Sequence, residues 1–175
     1  MVGGGKFQLK AGMWTDDTSM ALCLAESLLI CKGFDADDQM RRYLRWIDEG
    51  YYSSKDHAFG LGKTVINALF RYRKTGNPYS GRAESRYSGN GSLMRLAPIA
   101  IYYRNNPLQA WKYASLSSKT THASPECIQA CQYFCYVLLN ALVGKDKRLL
   151  FDIQDVSELS CLTSIVSCDF FNKSI

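Results

Sequence analysis

The run DDTSMALCLAESLLIC, residues 16–31, admits one secondary structure. Its apolar residues do not alternate as a half-buried strand requires. Met20, Leu24 and Leu28 form one row at helical spacing, and Ala21, Ala25 and Leu29 form the next. Two adjacent rows are wider than the stripe of a surface helix, so this helix is expected at the centre of the fold. It is stopped by Lys32-Gly33-Phe34. Its start places two adjacent carboxylates, Asp16 and Asp17, at the mouth of a helix that has to be buried.

The rest of the chain continues in helices, with no convincing strand pattern. Asp35 caps a second helix over 36–48, with Asp37 and Asp38 in its first turn and Met40, Leu44 and Ile47 facing inward; Gly50 stops it. Residues 51–62 read as a loop. A third helix covers 63–74, with Val65, Ile66, Leu69 and Phe70 apolar, and ends in the turn residues TGNPYSG. The stretch SGNGSLMRLAPIAIYYR (88–104) enters a fourth helix that kinks or restarts at Pro98. Asn106 and Pro107 open a fifth. Ser124, Pro125 and Glu126 open a sixth, which runs to Val143 and closes at Gly144. Beyond that only a short helix near 155–166 is legible. The expectation is an all-α, multi-helix domain over 1–144, followed by a divergent tail, 145–175.

Composition narrows the function classes. Apolar residues make up 47% and charged residues 21%, the globular range. The longest apolar run, FCYVLLNALV, falls short of the about 20 residues that span a bilayer. No basic-then-apolar leader opens the sequence, so a cytoplasmic protein with no membrane partner is expected. The seven cysteines include no C-x-x-C pair, and Cys127, Cys131 and Cys135 recur along one helical stripe. They read as reduced core cysteines rather than a thiolate metal site. The net charge of +5 suits an anionic ligand such as a nucleotide. Its basic residues, in RRYLR, RYRK and KDKR, read as solvated helix faces and lack the clustering of a nucleic-acid surface.

Three stretches can carry chemistry. In WTDDT, a hydroxyl and two carboxylates from Thr15, Asp16 and Asp17 form a hard oxygen set, which favours Mg²⁺, Mn²⁺ or Ca²⁺ over zinc. Acidic residues at a helix start also suit the helix dipole, so capping and ligation both remain open. In SGNGS, Gly89, Asn90, Gly91 and Ser92 allow backbone N–H groups to approach a phosphate, with the positive end of the next helix behind them; a plain helix-entry turn has the same composition. His122, in KTTHASPE, is either structural or a donor to a ligand's ribose or phosphate. Neither it nor His57 sits in a Ser or Cys signature of nucleophilic catalysis.

With these stretches in order, the sequence resembles the ADP-ribosylglycohydrolase family. The resemblance rests on GGGKFQLKAGMWTDDTSMALCLAESLL, YLRWIDEGYYSS, KTGNPYSG, GNGSLMRLAPIAIYY and THASPECIQAC, which together cover about 3–143. It implies an orthogonal multi-helix bundle, here incomplete, that hydrolyses the glycosidic bond of ADP-ribose with two divalent ions, Mg²⁺ or Mn²⁺. Thr15, Asp16 and Asp17 would be metal ligands, the two aspartates also catalytic. Gly89, Asn90, Gly91 and Ser92 would hold phosphate or ribose, and His122 would contact the substrate. The partner would be ADP-ribose or an ADP-ribosylated protein, not nucleic acid.

The sequence also departs from the family pattern. The family's opening segment, with a GDALG-like stretch and a glutamate near the metals, has no counterpart. Nor has the later D-x-D-T motif; FDIQD (151–155) has its acids at other spacings. Where the family reads F-D-I-G, this chain reads FGLG, so Gly60 replaces an aspartate. These departures imply a partial metal site. The alternative they raise is an inactive ADP-ribose-binding or structural member, with the wide first helix left exposed and prone to self-association.

Overall fold

A computed structural model describes residues 2–150. In it α1 spans Asp16–Ile30, α2 Ala36–Glu49, α3 Lys63–Thr75, α4 Ala97–Tyr102, α5 Pro107–Lys119 and α6 Pro125–Leu142. Among the described residues extended pairing is limited to two isolated bridges, Gly4 with Leu9 and Arg82 with His122. The helix expected near 155–166, and the acids of FDIQD, lie outside the described residues.

The central place expected for α1 holds, because both large core clusters draw on it. Leu24 and Leu28 join Leu96, Ile99, Tyr103, Ala110, Ala114, Cys131 and Cys135 from α4, α5 and α6. Met20 and Cys23 join Met40, Tyr43, Trp46, Val65, Leu69 and Tyr72 from α2 and α3. Each large apolar side chain buried this way contributes about 2 kcal/mol. The buried face of α1 is rotated from the one expected: Ser19, Cys23 and Ser27 are buried, while Ala21 and Ala25 are half-buried and Leu29 is exposed. Small residues there let α2 come close, and the Cys23 thiol lies 3.7 Å from the Arg42 carbonyl oxygen. The helix expected to be left bare is therefore mostly covered; of its large apolar residues only Leu29 and Ile30, at its end, are exposed.

The expected caps form. Asp35 accepts from the Asp37 and Asp38 amides at 2.9 Å each, Asn106 from Gln109 at 3.1 Å, and Ser124 from Cys127 at 3.3 Å. Cys127, Cys131 and Cys135 are buried free thiols. Three details differ. In α2 the fully buried residues are Gln39, Met40, Tyr43 and Trp46, with Leu44 and Ile47 half-buried. In α3 Phe70 is 58% exposed, and Ala68 and Tyr72 are buried instead. Arg42 is not solvated: its side chain is 11% exposed and is paired with Glu26 and Asp38.

Candidate active site

The acid pair opens α1. Thr15 occupies the N-cap position but makes no side-chain cap bond; its hydroxyl donates to Asp17 Oδ2 at 2.9 Å. All three residues are half-buried. Burial, and then the negative charge of Asp17, raise the Asp16 pKa to about 6, only partly offset by the backbone amides of the first turn. Among the described residues no basic side chain pairs with either aspartate.

The wall beside the pair is the 51–62 segment, legible only as a loop. Trp14 Nε1 donates to the Tyr52 carbonyl at 3.0 Å and Ser54 Oγ to the Trp14 carbonyl at 2.5 Å. Phe7 packs edge-on against Phe59. Gly60 follows at φ +80°, and a Cβ there would lie 2.4 Å from Asp16 Oδ1. The backbone itself touches the carboxylate, so this loop has no room for the family's aspartate unless Asp16 rotates away.

The glycine turn is held by other elements. Its carbonyls all turn inward: Gly89 accepts from the Cys127 thiol at 3.6 Å, Asn90 from the Met94 amide at 3.0 Å, and Gly91 from Arg95 Nη1 at 2.6 Å. Among the described residues no acceptor meets the Gly89, Asn90 or Gly91 amides, and Gly89 and Asn90 are exposed. Unpaired backbone donors at an exposed turn whose carbonyls are engaged inward suit an anion. The helix dipole does not add to this, because residues 90–95 are turns and α4 begins only at Ala97, with Pro98 in its first turn. Ser92 is buried, its Oγ 2.9 Å from Ser118 Oγ and 3.4 Å from the Cys131 thiol, so its role is to anchor the turn.

His122 lies directly behind that turn, 2% exposed. A Cβ on Gly91 would come within 2.7 Å of His122 Cε1 and 2.9 Å of Val65 Cγ2, which is why residue 91 has no side chain. Burial, and then the charge of Arg95, lower the His122 pKa to about 4. The ring is neutral at physiological pH, with Nδ1 2.8 Å from Thr121 Oγ1. His57, by contrast, is exposed, pairing with Asp56 and meeting Phe59 edge-on. Val65 sits in the first turn of α3, just after the loop that touches Asp16, so this one segment borders both halves of the site.

Sequence reasoning missed Arg95. Its side chain is wholly buried and none of its hydrogen-bond partners is a carboxylate. Besides Gly91, it donates through Nη2 to the Ser117 carbonyl at 3.0 Å, Thr120 Oγ1 at 3.1 Å and Thr121 Oγ1 at 2.8 Å. Its guanidinium carbon lies 4.9 Å from the centre of the Tyr43 ring. Nε has no partner. A buried cation without a counter-ion is costly, and here dipoles and an aromatic face offset it.

Two carboxylates and a hydroxyl fit a hard cation, as far as they go. Among the described residues no group of three or more His, Cys, Asp or Glu side chains is placed to hold a metal ion. No described helix is long and apolar enough to cross a membrane.

Comparison with known proteins gives a consistent result. The family model for ADP-ribosylglycohydrolase matches residues 1–165. ADP-ribosylarginine hydrolase Tri1 of Pseudomonas putida is 40% identical over 148 residues, covering 85% of this chain and 40% of that protein. Its namesake in Serratia proteamaculans is 37% identical over 151 residues, 86% and 41% of the two chains. ADP-ribosylhydrolase ARH3 of Homo sapiens is 34% identical over 124 residues, 69% and 33%. A solved ADP-ribosylglycohydrolase-related protein complex superposes at a TM-score of 0.72 with 45% identity, over 86% of this chain and 47% of that one. The chain thus spans less than half the length of these relatives.

Proposed function

The chain belongs to the ADP-ribosylglycohydrolase family, and from that premise we propose that it serves in metal-dependent hydrolysis of the bond between ADP-ribose and an arginine side chain. The observation that carries this reading is the uncompensated acid pair, Asp16 and Asp17, at the mouth of a buried helix. A carboxylate that holds its proton to about pH 6, because burial and then a negative neighbour disfavour its charge, is stabilised in its charged form by a divalent cation, and binding one would release that proton. Mg²⁺ or Mn²⁺ at Thr15, Asp16 and Asp17 would orient ribose hydroxyls and activate a water. Arginine as the acceptor follows from the two Tri1 relatives, which are named for it.

The chain's own residues divide the remaining work. The amides of Gly89, Asn90 and Gly91 hold the diphosphate. Thr121 Oγ1 already accepts from Arg95, so its own proton is available to His122 Nδ1; the His122 proton then sits on Nε2, the nitrogen nearest the turn. His122 acts as a neutral donor to the ligand. In the reaction the C1″–nitrogen bond breaks, a water oxygen joins C1″, and the departing guanidine takes a proton. A carboxylate oxygen of Asp16 or Asp17 would accept the proton of the attacking water.

A second reading, a member that binds ADP-ribose without cleaving it, is favoured by Gly60, which stands where the family pattern has an aspartate. One experiment addresses both: calorimetric titration of ADP-ribose with and without Mg²⁺ or Mn²⁺, beside a chromatographic assay of ADP-ribose release from ADP-ribosylarginine. Metal-dependent binding, lost in Asp16→Ala/Asp17→Ala, together with release supports hydrolysis. Binding without release selects the second reading, and no binding under either condition refutes both.

A further inference from the structure

A cleft of about 370 Å³ runs between the outer face of α3 and the segment that leads into the glycine turn. Asn67, Phe70, Arg71 and Lys74 form one wall, Arg82 and Tyr87 the other. Three cations share it. The only carboxylate ion-paired to any of them among the described residues is Glu84, 3.9 Å from Arg82 and also drawn by Arg86 at 3.8 Å. Arg71 is half-buried and donates both Nε, at 2.9 Å, and Nη2 to the Ser80 carbonyl, which leaves Nη1 for a ligand. Burial, and then the charge of Arg82, lower its pKa. Arg82 is steadied by the Tyr87 hydroxyl at 3.0 Å and by the Tyr87 ring beneath its guanidinium. Its backbone is fixed as well: the Arg82 carbonyl accepts from the Ala123 amide at 3.1 Å, and the Gly81 amide donates to Lys119 at 3.0 Å. The wall that carries Arg82 is thus tied to the loop that carries His122.

We propose that this cleft binds an acidic peptide segment, such as one flanking the modified residue of an ADP-ribosylated protein. The distribution of charge favours a peptide over a single phosphate. Arg71 and Lys74 lie one turn apart, about 4.5 Å along the axis of α3, with Arg82 across from them. With two cations on one wall and a third on the other, the cleft offers separate partners to more than one carboxylate. Phe70, 58% exposed at the lip, offers an apolar surface to the peptide's own side chains. Tyr87 of the cleft wall precedes the exposed Gly89–Asn90 turn by two residues, so a segment lying in the cleft would have its neighbouring residues near the proposed site. The link to ADP-ribosylated proteins rests on the function proposed above; the binding of an acidic peptide does not.

The test is an NMR-monitored titration of the chain with an acetylated Glu-rich peptide, its Gln-substituted counterpart, inorganic phosphate and ADP-ribose, all without added metal. The Glu peptide should shift the amides of Phe70, Arg71, Lys74 and Arg82, and the Gln counterpart should bind at least about tenfold more weakly. Lys74→Ala and Arg82→Ala, both at exposed side chains, should each weaken the Glu peptide about three- to tenfold. The comparison of Glu with Gln peptide on the unaltered chain decides the matter even if a variant folds poorly. Equal binding of the two peptides, or no binding, overturns the proposal. So does phosphate matching the Glu peptide, which would make this a simple anion site. ADP-ribose shifting the Arg71 and Lys74 amides overturns it too, as an arm of the nucleotide site. Failure of the metal-dependent ADP-ribose titration leaves this result standing, so the two readings fall separately.

Discussion

The acid pair and the His122 network are two polar regions built by opposite rules. Around Arg95 and His122 most donors find acceptors inside the protein and the side chains are sealed from water, with only His122 Nε2 left facing the glycine turn and Arg95 Nε unpaired among the described residues. Asp16, which lies against the backbone at Gly60, and Asp17 are half-buried, and no basic side chain among the described residues pairs with either. The difference teaches which region is scaffold and which is prepared to receive something. A satisfied network fixes geometry; an unsatisfied pair stores affinity.

The sharpest way to break this contrast is Arg95→Ala. It removes the donor shared by Gly91, Ser117, Thr120 and Thr121 and leaves a cavity, and should cost about 3–4 kcal/mol in urea unfolding. Arg95→Met keeps most of the volume and removes the charge. If both variants unfold at the wild-type urea midpoint, the network is not the scaffold described here.

Next in size is an acid limb from His122. Its pKa is 6.5 when unfolded and about 4 when folded, so between those values the unfolded chain binds the extra proton. The stability it contributes is fully present above pH 6.5 and is lost as pH falls toward 4, on the order of 3 kcal/mol in all. Asp16 has the opposite sign: its raised pKa makes folding more favourable as pH falls from about 6 to 3.8. His122→Gln should therefore flatten or reverse the slope of stability between pH 4 and 6. An unchanged slope would mean that His122 titrates normally.

Much of the fold was legible because helix ends are local chemistry: Asp35, Asn106 and Ser124 each cap the amides their positions predict. Which face of a helix is buried was less so. Ser27 and Gln39 are buried through partners in other elements, and no local pattern records that. Arg95 looks like any helical arginine, since its partners at 117–121 lie more than twenty residues away. The three motif stretches were visible, but their grouping was only half visible. Nothing in FGLG reveals that Gly60 lies against Asp16, or in GNGS that His122 lies behind Gly91. Those are facts of tertiary contact.

Gly60 sharpens the comparison in the other direction. The family pattern suggests that Gly60→Asp would restore a missing acid. The geometry predicts damage instead: the backbone is left-handed at φ +80°, and the new Cβ would meet Asp16 Oδ1 at 2.4 Å. The variant should lose about 2 kcal/mol and bind ADP-ribose no better in the presence of Mg²⁺. A stable variant with tighter metal-dependent binding would show that the loop can re-form around the acid.

The smallest effect tests the idea of stored affinity most directly. If Asp16 is held in a destabilising place for the sake of a ligand, relieving its charge should help the fold while harming the function. Asp16→Asn keeps the shape, removes the repulsion from Asp17 and leaves an amide where burial disfavours a carboxylate. At pH 7 it should raise stability by about 1 kcal/mol, a modest figure because the site is half-exposed and solvent screens it. The gain should vanish by pH 4, where Asp16 in the wild type is already protonated. Metal-dependent ADP-ribose binding should fall in the same variant. A scaffold residue would lose stability and binding together, as Arg95→Ala is expected to do. Opposite signs in one substitution at Asp16, against matching signs at Arg95, would separate the receiving region from the supporting one; matching signs at both would make the acid pair an ordinary part of the helix start.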